Sequence, residues 1–188
     1  NKSYFVISPN GKTVVNFIVT DNNLQYSVLK NGETIIGFSR LGLLINDEEP
    51  FYSGFEVIKT TKSTFDETWN QPWGEEINVR NHYNELRISL QEKSGKKRQL
   101  NIVFRAFDDG IGFRYEFPEQ SNLSNFTISD ELTEFALATN DSAWTIPAYK
   151  GVYYENLWRK ATICKLDTVT TPVTIEMKKG KFLLLHEA

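Results

Sequence analysis

Cysteine is almost missing from this chain: Cys164 is its one thiol, so no internal disulfide can form and the fold rests on packing. That leaves the redox compartment undecided. No run of 18 apolar residues occurs, which excludes a membrane-spanning helix. The start of the chain, Asn1 to Gly11, has no apolar h-region and no cleavage site, so any export signal has been removed or never existed. Charge of one sign is also lacking. The formal net charge is -3, with the two signs interspersed, which argues against nucleic acid or an anionic membrane surface as partner. Gly-x-Ser-x-Gly, His-Glu-x-x-His and Cys/His clusters at zinc spacing are all missing, and so is the apparatus of several hydrolase classes.

What the chain does have is apolar and aromatic substance, 40% and 13% of its 188 residues, enough for a sizeable core. No linker, internal repeat or low-complexity tract divides it, so the sequence reads as one continuous domain over 1–188.

Period-two alternation of β-branched and aromatic residues recurs along most of the length. Thr13–Val19 reads as a strand. Leu24–Lys30 and Glu33–Phe38 flank Asn31-Gly32, the strongest short-range hairpin signal. Gln99–Phe107 and Gly112–Phe117 flank Asp108-Asp109-Gly110, read as a short bulged turn rather than a metal loop, because further oxygen ligands are lacking. Ser94–Lys97 joins Asn84–Glu92 to Gln99–Phe107, and Lys178–Gly180 joins Pro172–Met177 to Lys181–His186. Asp130–Ala138 fits a strand or a single turn. Many short strands with Gly and Asn turns predict an all-β sandwich.

The segment Phe65–Arg87 stands apart: too polar for core, too aromatic for an ordinary loop. Trp69, Pro72 and Trp73 offer flat apolar surface for a pyranose or for another domain. Glu75, Glu76, His82, Asn84 and Glu85 are either ligand contacts or turn and edge chemistry. Elsewhere the bland readings are preferred. Cys164, in Ala161-Thr162-Ile163-Cys164, is expected to be a buried, inert thiol. Arg114 and Glu116 are expected in a half-buried strand with a cross-strand ion pair involving a residue such as Arg105. The Asn-x-Ser/Thr triplets at Asn125 and Asn140 are read as chance in a chain rich in Asn.

Seven segments, in order, resemble the N-terminal domain of glycoside hydrolase family 97. They are Ser8-Pro9-Asn10-Gly11-Lys12, Ser39–Leu43, Phe65–Trp69, Trp73-Gly74-Glu75, Arg80–Leu86, Phe107–Pro118 and His186-Glu187-Ala188. The resemblance implies a β-super-sandwich of the galactose mutarotase-like type, truncated at its C-terminal end, ahead of a catalytic (β/α)8 barrel absent from this chain. It implies an exo-acting, calcium-dependent α-glucosidase or α-galactosidase, exported to the periplasm or secreted, acting on α-linked oligosaccharides. The catalytic carboxylates would belong to the barrel, so this chain is expected to carry no catalytic residue. Trp69, Trp73, Glu75, His82 and Asn84 would be pocket-wall or barrel-interface residues. Glu187 would lend one ligand to a calcium that the fragment alone does not hold, and Phe182–Leu185 would be an open edge. Two other functions are weighed beside it: a free-standing carbohydrate-binding module using Trp69 and Trp73, and a sugar mutarotase, for which only His82 and His186 could serve.

Overall fold

The computed structural model describes residues 2–149 and 155–187, which form two compact units, Asn1–Ala136 and Leu137–Ala188. No Gly/Pro-rich stretch marks the division.

The first unit is a β-sandwich. One sheet runs in the order β1-β2-β3-β4, formed by β1 (Lys2–Ile7), β2 (Thr13–Val19), β3 (Leu24–Lys30) and β4 (Glu33–Leu41). A short strand β5 (Leu43–Ile45) precedes the second sheet, in the order β6-β7-β8-β9. Its strands are β6 (Phe55–Asn70), β7 (Asn78–Glu92), β8 (Gln99–Phe107) and β9 (Ile111–Glu116). β10 (Ile128–Glu131) closes the unit by pairing with β5.

The alternation read from the sequence fixes which residues face inward. On β2, Val15 and Phe17 are buried, and on β8 so are Leu100, Ile102, Phe104 and Ala106. The register stacks β7 against β8 in three apolar layers, Leu86↔Phe104, Ile88↔Ile102 and Leu90↔Leu100. Phe104 carries the junction between the sheets, with ring centroids 5.8 Å from Phe17 and 6.2 Å from Tyr26. Each such side chain contributes about 1.5–3 kcal/mol by leaving water. The Asn31-Gly32 turn has φ of 52° and 78°, the left-handed pair that a two-residue hairpin demands.

A polar clasp holds the far end. Arg98 is 1% exposed, yet its guanidinium meets Glu92 at 2.5 Å, Glu48 at 3.3 Å and the Glu49 carbonyl at 2.8 Å, over the Phe51 ring. It binds the 46–51 loop to the β7–β8 turn.

The second unit is a four-stranded sheet in the order β12-β11-β13-β14, from β11 (Ser142–Thr145), β12 (Arg159–Thr162), β13 (Val173–Met177) and β14 (Lys181–Leu185). Ala143, Val173 and Ile175 centre its core, packed by Ile163, Leu183 and Leu185 among others. Among the described residues β14 lies at the edge of this sheet, with Phe182 and Leu184 exposed.

Two expectations need correction. Cys164 is exposed, not buried: the 3-10 turn Ile163–Lys165 sends Ile163 to the core and Cys164 outward, where Asn140 Nδ2 donates to its Sγ. That bond, with a second to Thr162, holds the thiol below its usual range. Glu116 pairs not with Arg105 but with Arg87 and Arg114, because Arg105 lies opposite Gly112 on one side and Glu85 on the other. Arg105 accordingly bonds Glu85 at 2.8 Å.

Candidate functional site

The Phe65–Arg87 segment is the outer part of the β6–β7 hairpin. β6 is 16 residues long and exposed at every position from Ile58 on, and its outer half meets the sandwich through Phe65, stacked on Tyr83. On β7 the core ends at Leu86 on one face and at Tyr83 on the other, and pairing with β6 continues from there out to Asn70↔Asn78. The hairpin therefore projects as a two-stranded arm. Such a ribbon is marginal alone, and its own side chains must brace it.

Directly opposed residues share a face. One face carries Thr64↔Asn84, Asp66↔His82 and Thr68↔Arg80, and the other carries Phe65↔Tyr83 and Trp69↔Val79. On the polar face Arg80 forms a fork on Asp66, Nε to Oδ1 at 2.8 Å and Nη2 to Oδ2 at 2.6 Å. Asp66 Oδ2 also lies 3.9 Å from His82 Nε2. The Arg80 bond first, and the charge of Arg80 after it, hold the Asp66 carboxyl below the usual carboxylate range. On the aromatic face Phe65 stacks on Tyr83 at 5.3 Å, Tyr83 meets Phe107 at 5.2 Å, and the Arg105 guanidinium lies 4.4 Å over the Tyr83 ring.

The tip, 71–77, is preformed. Gln71 N–H donates to the Ile77 carbonyl at 3.0 Å, and its side-chain amide donates to the Glu76 carbonyl at 2.7 Å. Gly74 sits at φ +125°, and a Cβ there would lie 2.5 Å from Gln71 Nε2, so this position requires glycine. From this tip Trp73 is 84% and Ile77 70% exposed, while Trp69, one strand residue below, is 43% exposed.

The sequence-predicted residues thus separate. His82 and Asn84 share the polar face, Trp69 lies on the aromatic face, and Trp73 and Glu75 occupy the tip. Glu187 belongs to the second unit, exposed just after β14; Ala188 of its motif lies outside the described residues. Asp66 and Arg80 were not singled out from sequence. Their partnership depends on the strand register, which no local pattern reveals.

Each carboxylate whose ionisation is clearly shifted, Asp66, Glu116 and Glu134 among them, is pushed down by a cationic or hydrogen-bonding partner. A general acid of glycoside hydrolysis needs the opposite. No group of three or more His, Cys, Asp or Glu able to hold a metal exists among the described residues. Calcium takes six to eight oxygens, and the Glu187 carboxylate by itself offers two. No helix among the described residues is long and apolar enough to cross a membrane.

Comparison with known proteins agrees with this reading of the fold. The sequence model described as Glycosyl-hydrolase 97 N-terminal matches residues 6–188. A retaining alpha-galactosidase of Bacteroides thetaiotaomicron is 24% identical over 188 residues, covering 98% of this chain and 26% of its own length. Structures of a glycoside hydrolase family 97 enzyme from Pseudoalteromonas sp. strain K8, in complex with panose or acarbose, superpose with a TM-score of 0.88 at 32% identity. They cover 93% of this chain and 27% of theirs. A beta-arabinopyranosidase shares the fold, with a TM-score of 0.83 at 22% identity over 96% of this chain and 31% of that one. The chain spans about a quarter of the length of the curated relative it matches. By sequence model and by structure, this chain belongs to glycoside hydrolase family 97, as its N-terminal domain.

Proposed function

We propose that this domain is the non-catalytic N-terminal sandwich of an exo-acting, calcium-dependent α-glycosidase, cleaving α-glucosides or α-galactosides. In this reading the β6–β7 arm meets the catalytic domain and forms part of the pocket wall. The observation that carries it is the arm itself: a braced hairpin, exposed on both faces beyond Tyr83, that carries Trp73 and Ile77 outward on a preformed tip. An aromatic anchor held rigidly at the end of a projection is what an interface uses, since little conformational entropy is lost on burial. The relatives, an alpha-galactosidase and an enzyme in complex with panose or acarbose, support an oligosaccharide substrate. The domain's share of the work is to support the pocket and exclude water from its edge.

Glu187 supplies one carboxylate to the calcium, and the remaining ligands come from the catalytic domain. When bound, the cation positions substrate and polarises the reacting region. The same reading places the protein in the periplasm or outside the cell, where a chain with one cysteine needs no disulfide to fold.

Calcium titration of the full-length polypeptide by calorimetry tests the metal contribution. Glu187→Gln is expected to weaken calcium binding by at least about tenfold, since affinity follows the number of charged ligands. Unchanged affinity would remove Glu187 from the site. Saturable quenching of Trp fluorescence in the isolated domain by maltose or a galactoside would instead favour a free-standing carbohydrate-binding module on Trp69 and Trp73.

A further inference from the structure

We propose that Asn84 is a positioning residue whose amide bolts the arm to the sandwich and so sets the direction in which the tip presents Trp73. This rests on the reading that the arm meets a catalytic domain. Asn84 lies two residues beyond Leu86, the last core residue on its own face of β7, and beside Tyr83, buried on the opposite face, where the pairing with β8 ends and the arm begins. Both ends of its side chain are occupied. Oδ1 accepts a hydrogen bond from the Thr64 hydroxyl of β6 at 2.7 Å, and Nδ2 donates to the Ile7 carbonyl of β1 at 2.7 Å. One amide thereby joins three strands from both sheets. A side chain so engaged is poorly suited to ligand contact and well suited to fixing an angle.

The opposite face is braced at the same level, by the Phe65–Tyr83–Phe107 stack under Arg105. Further out, the side-chain hydrogen bonds of the arm stay within it, Arg80 to Asp66 and Gln71 to the Glu76 carbonyl. They stiffen the lever without aiming it. The tip lies about six residues beyond the root, roughly 20 Å, so a swing of ~10° there moves it by ~3 Å. A displacement of that size is enough to disturb an anchor in its pocket.

Asn84→Asp keeps the acceptor for Thr64 but turns an oxygen toward the Ile7 carbonyl. Thr64→Val removes only the hydroxyl bond and serves as the milder variant should Asn84→Asp fold poorly. Two readouts are taken in the full-length polypeptide carrying Cys164→Ser. The first is the spin-label distance distribution between Glu67→Cys on the arm and Ser94→Cys on the β7–β8 turn, recorded in the polypeptide and in the domain alone. The second is kcat and KM on p-nitrophenyl α-glucoside and α-galactoside. The expected result is a broadened distribution in the domain alone, and KM raised about tenfold with kcat within about twofold, the signature of lost uniform binding. A distribution as narrow as the parent's in both variants would overturn the positioning role. Broadening with unchanged KM, while Trp73→Ala does raise KM, would also overturn it, because the arm's direction would then not matter. If Trp73→Ala is silent as well, the proposed contact with the catalytic domain falls instead.

Discussion

Replacing Phe104 by alanine is expected to destabilise the first unit by about 3–5 kcal/mol, a large part of the 5–15 kcal/mol a domain of this kind possesses. Phe104 is fully buried and lies among Phe17, Tyr26 and Phe113, so its removal opens a cavity where the two sheets meet. Backbone strands on both sides are held by their own ladders and cannot collapse into the gap. Phe104→Leu, which keeps most of the volume, is expected to cost well under half as much. Urea denaturation followed by circular dichroism measures both. A loss below about 1 kcal/mol for Phe104→Ala would mean that the sheets do not pack through this residue.

Arg98→Met is expected to cost a similar amount, about 3–5 kcal/mol, for a different reason. Glu92, only 12% exposed, loses a partner at 2.5 Å and is left as an uncompensated charge. Glu48 fares better, because Lys96 also reaches it at 2.5 Å. The loss therefore resides mostly in Glu92. Pairing Arg98→Met with Glu92→Leu should restore much of the stability, since it removes both charges together. A double-mutant cycle with no coupling between the two sites would contradict this account of the clasp.

How much of this was legible in the sequence follows from what each residue packs against. β2, β3 and β8 have the bounds the alternation predicts, because one face of each is buried and writes a period of two into the sequence. The Asn31-Gly32 turn was legible because both residues tolerate positive φ, and the Lys178–Gly180 turn through Gly180, at φ 68°. β6 was not: Lys59–Asn70 buries no face, so no apolar period marks it, and only pairing with β7 makes it a strand. β7 accordingly begins at Asn78 rather than Asn84. The unusual composition of Phe65–Arg87 was visible, but not its shape. Once the register is known, Asp66 and Arg80 are seen to hydrogen-bond within the arm, Asn84 to bond Thr64 and the Ile7 carbonyl, and Trp73 to stand exposed at the tip. Cys164 was misread because its apolar neighbours face the core while the turn carries the thiol the other way.

Hydroxyl-radical footprinting of Trp73 tests the central claim most directly. In the isolated domain the indole is 84% exposed and should oxidise rapidly. In the full-length polypeptide its oxidation is expected to slow by at least about tenfold, because an interface anchor is fully desolvated. Equal rates in the two would show that the arm projects into water in the whole protein and meets no catalytic domain.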